Sequence, residues 1–514
     1  MLNNILQYLD ETARRVPAKL AFSDGRVGST FGELDDGSRR AGSALLRRGY
    51  EREPVAILME RSPAEITAFM GVIRAGCFYA ALDAAMPDAR MQQILATLET
   101  RVLLCDSRNL SRAEQLAASL PAPLCVLPYE DLIAEEIDEG ALAAVRETAI
   151  DQDPIYVVFT SGSTGVPKGV VACHRSVIDY TESLCEAIGF TEKTVFANQT
   201  PLYFDAPLKE IMPTLKYGAT TYLVPRMLFS FPIPLCDFLN RYKVNTICWV
   251  VSALTMISSF GVLEKNPPRY LTTVCFGSEV FPRPQYDLWR AALPNARFFN
   301  LYGPTEATGM SCYWAADRTL EPDEPIPVGR PFRNTDILLL GTDEAGKPRR
   351  ILPTEPDVEG EICMRGTCVT LGYYNDPTRT AEAFRQNPLR GTYPETIYCT
   401  GDLGRYNRHG ELVFVCRRDA QIKILGHRVE PGEIEAAAAP AVREGCCVYD
   451  APRTRLVLYY TAETCTPDDL RRLLTAHLPR YMMPAIIRRL EALPHTPNGK
   501  LDRKSLREQA EREP

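Results

Sequence analysis

The stretch IYVVFTSGSTGVPKGV (residues 155–170) decides the fold, because an apolar run ends there in a loop of glycines and hydroxyl residues. The run IYVVF is typical of a buried strand. Backbone N–H groups and Ser/Thr hydroxyls in a loop after a strand can surround phosphate oxygens, and Lys168 adds a cation. The spacing is not that of a Walker A loop. Taken alone, such a loop is more often a flexible surface turn, so its interpretation depends on the rest of the chain.

Similar apolar runs recur on both sides of this loop. They lie at residues 54–59, 102–106, 220–224, 245–251 and 271–276. Between them are helical candidates such as PAEITAFMGVIRAG and MQQILATLE. Short apolar strands that alternate with helices predict parallel sheets covered on both faces. Residues 340–416 differ, because shorter alternating strands with Gly, Pro and turn signals indicate an antiparallel section.

The end of the chain has the pattern of a separate, small α+β unit. The charged stretch RRDAQ begins near residue 417, QIKILGHRVE predicts a strand and a turn, and Pro431 then begins a helix. A length of 514 residues also favours more than one domain, since single cores stop growing at about 250–300 residues. We expect a ligand cleft between the large body and this small cap.

Composition argues against several classes of protein. The net charge of −7 makes nucleic acid and anionic membranes unfavourable partners. The 16 cysteines include no C-x-x-C pair and are accompanied by 5 histidines, so a zinc site is not expected. The N-terminus lacks a signal-peptide core, and no apolar stretch is long enough to span a membrane. We therefore expect a cytoplasmic protein with reduced thiols.

Ten motifs resemble the superfamily of adenylate-forming enzymes, which includes acyl-CoA synthetases, luciferases and nonribosomal peptide synthetase adenylation domains. They are TFGEL (30–34), AGCFYAALDAAMPDARMQQIL (75–95), TSGSTGVPKGV (160–170), YFDAP (203–207), NLYGPTEAT (300–308), GEICMRGTCVTLGYY (360–374), YCTGDLG (398–404), RRDAQIKILGHRVEPGEIE (417–435), LPRYMMP (478–484) and PNGKLDR (497–503). The likeness is closest to amino-acid adenylation domains and free-standing D-alanyl carrier protein ligases. One such motif would be weak, but ten in the family's order are specific.

The resemblance implies an α/β fold in two domains. Residues 1–418 would form a large domain of parallel-sheet subdomains with a small antiparallel barrel-like section, and residues 419–514 a small, mobile α+β domain. A carboxylate would attack the α-phosphate of ATP, release pyrophosphate and pass the acyl group to a thiol. Cations must then neutralise the growing negative charge. Asp419 matches the hinge, and the loop from Gly426 to Glu430 would face the thiol tunnel after Lys500 leaves.

The same resemblance assigns the nucleotide site. Lys500 corresponds to the catalytic lysine, and Glu306 to the ligand of a Mg²⁺ that accompanies ATP. The phosphate contacts would be Thr160, Ser161, Gly162, Ser163, Thr164, Lys168 and Thr305. The adenine and ribose contacts would be Gly277, Ser278, Glu279, Asn300, Leu301, Tyr302, Gly303, Asp402 and Arg417. Tyr302 would stack on adenine, and Asp402 would accept from the ribose hydroxyls.

Asp205 indicates the class of substrate. The resemblance implies that an aspartate here pairs with an α-ammonium group, whereas a fatty or aryl acid would leave a buried carboxylate unpaired. The alternative is a helix N-cap, and we favour the ammonium anchor. The amino-acid pocket would consist of Asp205, Ala206, Lys209, Cys248, Cys275, Gly277, Leu301, Gly309 and Met310. Gly277 and Gly309 would leave room in this pocket.

Lys209 is unusual for such a pocket and has two interpretations. In the first interpretation, Lys209 pairs with a carboxylate or another acceptor on the substrate side chain. In the second, it extends outward or pairs with Glu210 or another acid of the protein. The second interpretation, which we favour, keeps a small neutral amino acid such as alanine among the candidate substrates. A slip of one residue in the alignment would remove Lys209 from the pocket.

The sequence thus predicts a free-standing enzyme that converts ATP and an amino acid to aminoacyl-AMP and pyrophosphate. Because the chain ends about ten residues after PNGKLDR, we expect the acceptor to be the phosphopantetheine thiol of a separate carrier protein. One alternative is an acyl-CoA or aryl-acid ligase. Another is an inactive nucleotide-binding protein, against which intact Lys168, Glu306, Asp402 and Lys500 argue. Neither nucleic acid nor a membrane is an expected partner.

Overall fold

The structure is a computed structural model that describes residues 2–162, 166–418, 421–495 and 501–512. Within this part of the chain, the strands are β1 (Leu20–Ser23), β2 (Gly28–Thr30), β3 (Pro54–Leu58), β4 (Phe78–Ala81), β5 (Val102–Cys105), β6 (Cys125–Pro128), β7 (Pro154–Thr160), β8 (Lys168–Cys173), β9 (Val195–Asn198), β10 (Thr220–Leu223), β11 (Thr246–Val250), β12 (Thr273–Gly277), β13 (Arg297–Tyr302), β14 (Cys312–Ala315), β15 (Arg330–Pro331), β16 (Thr335–Thr342), β17 (Pro348–Ile351), β18 (Gly360–Gly366), β19 (Phe384–Gln386), β20 (Thr396–Tyr406), β21 (Leu412–Arg417), β22 (Ile422–Ile424), β23 (His427–Val429), β24 (Glu444–Asp450), β25 (Arg455–Thr461) and β26 (Ile486–Arg489).

The helices of the same residues lie between these strands. They are α1 (Leu6–Arg15), α2 (Phe31–Arg47), α3 (Pro63–Arg74), α4 (Asp88–Leu98), α5 (Leu110–Ser119), α6 (Tyr129–Ala134), α7 (Glu139–Thr148), α8 (His174–Ile188), α9 (Leu208–Tyr217), α10 (Pro232–Arg241), α11 (Val251–Ser259), α12 (Val262–Lys265), α13 (Arg283–Ala292), α14 (Pro377–Ala383), α15 (Pro431–Ala438), α16 (Pro467–His477) and α17 (Arg503–Arg512). Short 3₁₀ helices cover Arg226–Ser230, Thr305–Ala307 and Arg480–Met482.

Two largely parallel sheets form the body, as the apolar runs predict. One has the order β15-β14-β13-β12-β11-β9-β10-β1-β2, and the other has the order β6-β5-β3-β4-β7-β8. Antiparallel strands lie only at their edges among the described residues: β2, β14, β15 and β8. Every residue of β3, β5, β11 and β12 is buried, which explains why these strands are continuous apolar runs.

Local sequence signals begin the helices that cover these sheets. Thr30 and Glu33 form a capping box at the start of α2, and Ser62 accepts from the Glu65 N–H at the start of α3. One apolar core packs side chains from both parallel sheets together, from Ile5 to Phe332. The two sheets therefore form one packed body that fixes the ends of their strands relative to one another.

Residues 335–417 form the antiparallel section that the turn signals indicate. Its order is β17-β16-β18-β20-β19, and β21 pairs with the other part of β20. Cys363 on β18 lies directly opposite Cys399 on β20. The mixed α/β class with parallel sheets and an antiparallel section is therefore confirmed.

The C-terminal segment, residues 421–512, has apolar cores of its own. The hairpin β22–β23 and the sheet β24-β25-β26 pack with α15, α16 and α17. Two core clusters draw all their residues from this segment. Helix α15 begins at Pro431, as predicted. The division into 1–418 and 419–514 stays a prediction, and Asp419 lies outside the described residues.

Two further expectations concern cysteines and membranes. All 16 cysteines are free thiols, and most of them are buried. Among the helices that the structure describes, none has the length and apolar character needed to cross a lipid bilayer.

Candidate active site

The predicted nucleotide residues meet at the carboxyl ends of three parallel strands. Thr160 ends β7, Gly277 ends β12 and Tyr302 ends β13. Strands β12 and β13 are neighbours, with Gly277 opposite Leu301. Carboxyl ends of parallel strands commonly border ligand clefts, because the loops that follow them share one edge of the sheet. The 3₁₀ turn Thr305–Ala307 follows β13 directly and carries Glu306 into this cleft.

Glu306 is the electrostatic centre of the cleft. It is fully buried, and Arg428 Nη1 donates to its two carboxylate oxygens at 2.8 and 3.1 Å. Tyr373 Oη donates to it at 2.7 Å, and Lys168 Nζ lies 3.5 Å away. Burial alone would raise the pKa of Glu306, but the charges of Arg428 and Lys168 outweigh it and hold the pKa far below the usual range. Glu306 is therefore a permanent anion.

Lys168 is a mostly buried cation beside this glutamate. Its Nζ donates to Tyr373 Oη at 3.3 Å, and 12% of its side chain is exposed. Burial and the neighbouring charge of Arg428 lower the pKa of Lys168 to about 8. The site therefore contains an ammonium group that gives up its proton more readily than an ordinary lysine.

The predicted phosphate loop contacts the C-terminal segment. Ser161 Oγ donates to the Arg428 carbonyl at 2.9 Å, and the Gly162 N–H donates to Glu433 at 3.3 Å. Thr160 Oγ1 is buried and has no hydrogen-bond partner among the described residues. A side chain at position 162 would lie 2.2 Å from the Val166 carbonyl oxygen, so only glycine fits there. Ser163 and Thr164 lie outside the described residues.

The predicted ribose residues Asp402 and Arg417 form a polar cluster with Tyr302, the predicted adenine contact. Tyr302 Oη and Arg417 Nη1 each donate to Asp402 at 2.5 Å. Asn300, in contrast, donates its side-chain amide to the Pro327 carbonyl at 2.8 Å. Gly303 is required by packing, because a Cβ there would lie 2.6 Å from the backbone of residues 309–311. Asp402 and Arg417 are thus brought together as the ribose assignment requires.

Glu279 ties the C-terminal segment to the large body. Its carboxylate accepts from the Ser252 N–H and from the Gly426 N–H, each at 2.8 Å. The preceding residue, Ser278, has a left-handed backbone with φ of 68°. Glu279 therefore links the large body to the C-terminal segment, a role that its predicted assignment to the adenine site did not include.

Asp205, the predicted ammonium anchor, lies three residues before the start of helix α9. The residue is half-buried, as is Ala206 beside it. Burial raises the pKa of Asp205, and a hydrogen bond from the Thr305 side chain works in the opposite direction. Helix α9 begins at Leu208 and has no side-chain cap, so the N-cap alternative for Asp205 is wrong.

Lys209 is buried at 3% exposure, about one helical turn beyond Asp205 at the start of α9. The outward-pointing alternative for this lysine is therefore wrong. Among the described residues, no carboxylate oxygen lies within 4.0 Å of its ammonium, so it forms no ion pair with Glu210 either. Its charge nevertheless acts on Asp205, Glu210 and Cys248, which places it among the pocket residues. The favoured interpretation failed because the sequence does not show which face of α9 is buried.

The remaining pocket residues are apolar or small. Cys248 and Cys275 are opposite each other on β11 and β12, and both are buried, as are Leu301 and Met310. Gly309 has φ of 79°, and a Cβ there would lie 3.7 Å from the Tyr180 ring. Gly277 needs a correction: a Cβ there would lie 2.1 Å from the Leu301 carbonyl oxygen. It allows two strands to approach closely and does not leave room for a substrate.

The β22–β23 hairpin covers the cleft, and the sequence predicted the contacts of this hairpin least well. His427 stacks on Tyr481 at 4.0 Å and meets the Phe204 ring edge at 5.2 Å. Farther along, buried Glu433 pairs with Arg90 of the large body.

Arg428 and Tyr373, the partners of Glu306, were not predicted as site residues. Both lie within quoted motifs, but no local pattern reveals a pairing across 122 residues. Lys500 lies outside the described residues.

This fold and this cleft define an ATP-dependent, AMP-forming ligase. Residues 9–374 match the AMP-binding enzyme family, and the chain belongs to that family. It is 30% identical to an L-proline–[L-prolyl-carrier protein] ligase of Streptomyces coelicolor, over 98% of this chain and 96% of that protein. It is 29% identical to tyrocidine synthase 1 of Brevibacillus parabrevis, over 98% of this chain but 45% of that longer protein.

The fold has close counterparts among solved structures. The Vibrio cholerae adenylation domain AlmE, in complex with glycyl-adenosine-5'-phosphate, superposes with a TM-score of 0.84 at 22% identity. The superposition covers 99% of this chain and 98% of that one. This agreement extends the fold match beyond residue 374, where the family match ends, to the C-terminal segment.

Proposed function

We propose that this protein activates an amino acid as its adenylate and transfers it to the phosphopantetheine thiol of a separate carrier protein. The proposal combines the family's AMP-forming chemistry with the similarity to a carrier-protein ligase over the whole length of both chains. In this proposal the enzyme works in the cytoplasm as a free-standing ligase, with residues 1–418 as its adenylation core and residues 419–514 as a mobile domain.

Asp205 is the observation that carries the choice of substrate class. Its half-buried carboxylate has no Lys, Arg or His nitrogen within 4.0 Å among the described residues, and it lies beside Thr305 at the cleft. The charge of Lys209 acts on it from farther away, and an α-ammonium group would supply a cation in direct contact. A fatty or aryl acid would bring no cation and would leave this carboxylate partly desolvated and unpaired.

The other charges suit the attack of a carboxylate on a phosphate. Lys168 and the N–H groups of the loop after β7 would hold ATP phosphates, with Thr305 as a further donor, and Asp402 with Arg417 would hold the ribose. Lys500 would bridge the attacking carboxylate and the α-phosphate. Asp419 would be the hinge that later brings the Gly426–Glu430 loop toward the thiol. These roles rest on the resemblance of the motifs.

Glu306 fits a Mg²⁺ that arrives with ATP. It is an ionised carboxylate, and Mg²⁺ prefers few carboxylates together with phosphate oxygens and water. The ion would neutralise phosphate charge when bound. Arg428 occupies the same two oxygens in the present arrangement, so Arg428 and Mg²⁺ are alternative partners of Glu306.

Amino-acid-dependent pyrophosphate exchange tests the proposal. The panel contains L- and D-amino acids, β-amino acids, fatty acids and aryl acids. We expect the wild type to show exchange with amino acids only. We expect Asp205→Ala to raise the amino-acid KM by at least ~30-fold and to change the KM for ATP little, because the loss of one partner of a buried ion pair costs about 2–5 kcal/mol. Lys500→Ala should abolish exchange and leave the melting temperature unchanged.

The matched control is Asp131→Ala, which removes an exposed aspartate from the start of α6. It should change neither KM. Exchange with aryl or fatty acids alone would replace the proposal by an acyl-CoA or aryl-acid ligase. Equal losses for ATP and amino acid in Asp205→Ala would remove the ammonium-anchor role.

A further inference from the structure

The amino-acid pocket contains buried polar groups that lack partners. The hydroxyls of Tyr156 and Tyr180 and the Oε1 atom of Glu210 have no hydrogen-bond partner among the described residues. Lys209 has neither a hydrogen bond nor an ion pair there, although only 3% of it is exposed. Folded proteins pair nearly all buried polar groups, so unpaired groups that share one site point to a missing ligand.

These groups surround the same small region. After burial, the charge of Asp205 is the next cause that raises the pKa of Tyr156, and it also acts on Tyr180. The Lys209 charge acts on Asp205 and on Glu210. The Tyr180 ring also lies 3.7 Å from the place where Gly309 would carry a Cβ. The unpartnered groups therefore lie close to both Asp205 and Gly309, two residues of the predicted pocket.

Most of these groups are donors. An ammonium group offers three N–H bonds and no acceptor, and the two buried phenols keep their protons. A neutral side chain such as a methyl group would satisfy none of them. We propose that the substrate of this pocket is an amino acid with a side-chain carboxylate, bound by Lys209 and the hydroxyl of Tyr180. This inference rests on the proposed function and names the class of amino acid.

Charge balance supports the same class. In the free protein, the negative charge of Asp205 partly compensates Lys209. Once a substrate ammonium pairs with Asp205, the buried lysine needs another anion. Glu210 does not supply one near neutral pH, because burial raises its pKa to about 8 and keeps it largely protonated. Its Oε2 atom accepts from the Asn198 side chain at 3.4 Å, and Glu210 forms no ion pair with Lys209 among the described residues.

The test compares acidic amino acids with their neutral isosteres in pyrophosphate exchange. Aspartate, glutamate and 2-aminoadipate are measured beside asparagine, glutamine, alanine and leucine, in both enantiomers. We expect the best acidic substrate to exceed its amide and alanine at least tenfold in kcat/KM. Lys209→Met, which keeps most of the length of the side chain and removes its charge, should reduce kcat/KM for the acidic substrate about 100-fold or more and reduce it far less for neutral substrates.

The matched control is Lys216→Met, which makes the same substitution farther along α9, where Lys216 pairs with Glu182. Its substrate profile should equal that of the wild type. Tyr180→Phe is the second variant and removes a hydroxyl that has no partner among the described residues. It should raise the KM for the acidic substrate and keep or increase the melting temperature, a combination that a purely structural role would not produce.

The outcomes separate this inference from the proposed function. Exchange with alanine or another neutral amino acid at a level equal to or above the acidic ones, and an unchanged profile in Lys209→Met, would overturn the acidic class alone. Exchange with no amino acid, while fatty or aryl acids are active, would overturn the proposed function and this inference together. If Lys209→Met fails to fold, Tyr180→Phe and the wild-type substrate panel still test whether the substrate is an acidic amino acid.

Discussion

The two halves of the cleft differ in how their polar groups are satisfied. Around Glu306, Arg428, Lys168 and Tyr373 all contact one carboxylate, and one of these partners comes from the C-terminal segment. Around Asp205, the buried hydroxyls of Tyr156 and Tyr180 have no hydrogen-bond partner among the described residues, and buried Lys209 forms no ion pair there. The carboxylate of Glu306 is thus satisfied by the protein's own side chains, whereas the amino-acid half contains buried polar groups that are not.

The largest effect should come from removing the charge of Glu306, which these partners share. Glu306→Gln removes the main counter-ion of the buried cations Lys168 and Arg428 and leaves Glu430, 3.8 Å from Arg428, as the remaining carboxylate partner among the described residues. This loss should cost about 3–5 kcal/mol of unfolding free energy. Exchange should fall by about 10³-fold or more, because the electrostatic centre of the site is lost. Thermal unfolding and pyrophosphate exchange measure the two effects.

A double variant checks the cause of that loss. Glu306→Gln with Arg428→Met removes one of the two stranded cations and should recover part of the stability, but none of the activity. An equal loss of stability in the single and double variants would mean that Arg428 does not interact with Glu306 in solution.

The second prediction concerns the pH dependence of the unsatisfied half. Glu210 has a pKa of about 8 when folded, above the usual value for an unfolded chain, so the folded state holds a proton that the unfolded state releases. Its contribution to stability is therefore full below about pH 4.5 and falls as the pH rises toward 8. Glu210→Gln should equal the wild type at pH 4.5 and be about 1–3 kcal/mol more stable at pH 8.

Urea unfolding at the two pH values measures this difference. Glu264→Gln, at an exposed glutamate on α12, is the control and should show no such divergence. A constant difference between Glu210→Gln and the wild type across this pH range would refute a protonated Glu210.

The third prediction separates the alternative partners of Glu306. Arg428→Met removes the competitor of Mg²⁺, so the Mg²⁺ concentration for half-maximal exchange should fall severalfold. The pKa of Lys168 should rise above its present value of about 8, because the charge of Arg428 is the largest cause after burial that lowers it. The alkaline limb of kcat/KM for ATP should therefore move to higher pH.

Arg507→Met, at an exposed arginine on α17 of the same segment, serves as the control. It should change neither the Mg²⁺ dependence nor the pH profile. An alkaline limb that stays in place in Arg428→Met would show that Lys168 and Arg428 are apart in the free enzyme.

The smallest effect should come from the wall of the amino-acid pocket. Gly309→Ala places a side chain at φ of 79° and should cost about 1–2 kcal/mol. Gly49→Ala is the matched control, since Gly49 has φ of 76° and nothing within 4 Å of its would-be Cβ. Both should lose similar stability, but only Gly309→Ala should alter the KM for the amino acid. Identical kinetics in the two variants would place Gly309 outside the pocket.

The sequence predicts the architecture well because short stretches of sequence determine where each strand and helix begins and ends. Continuous apolar runs such as residues 54–59 mark strands that are buried on both faces, and Pro431 marks the start of α15. The position of the loop after β7 was also predictable, because the loop directly follows a continuous apolar run. Such signals depend on residues that are close in the chain.

The details of the site depend on contacts between distant residues, and these were predicted less well. The burial of Lys209 follows from how α9 packs on the sheet, and no spacing in YFDAPLKE shows that orientation. Gly277 has no side chain because β13 packs directly against it, whereas the sequence suggested that this glycine leaves space for a substrate. The pairing of Arg428 with Glu306 requires knowledge of where the C-terminal segment rests.

Gly426 has a consequence for how this protein can evolve. Its φ of 79° and a would-be Cβ 2.5 Å from Val250 Cγ1 mean that the hairpin rests directly on the end of β11. A larger residue at either position would lift Arg428 away from Glu306. Substitutions at positions 250 and 426 should therefore be tolerated only as compensating pairs, and a deep alignment of relatives should show that these two positions covary.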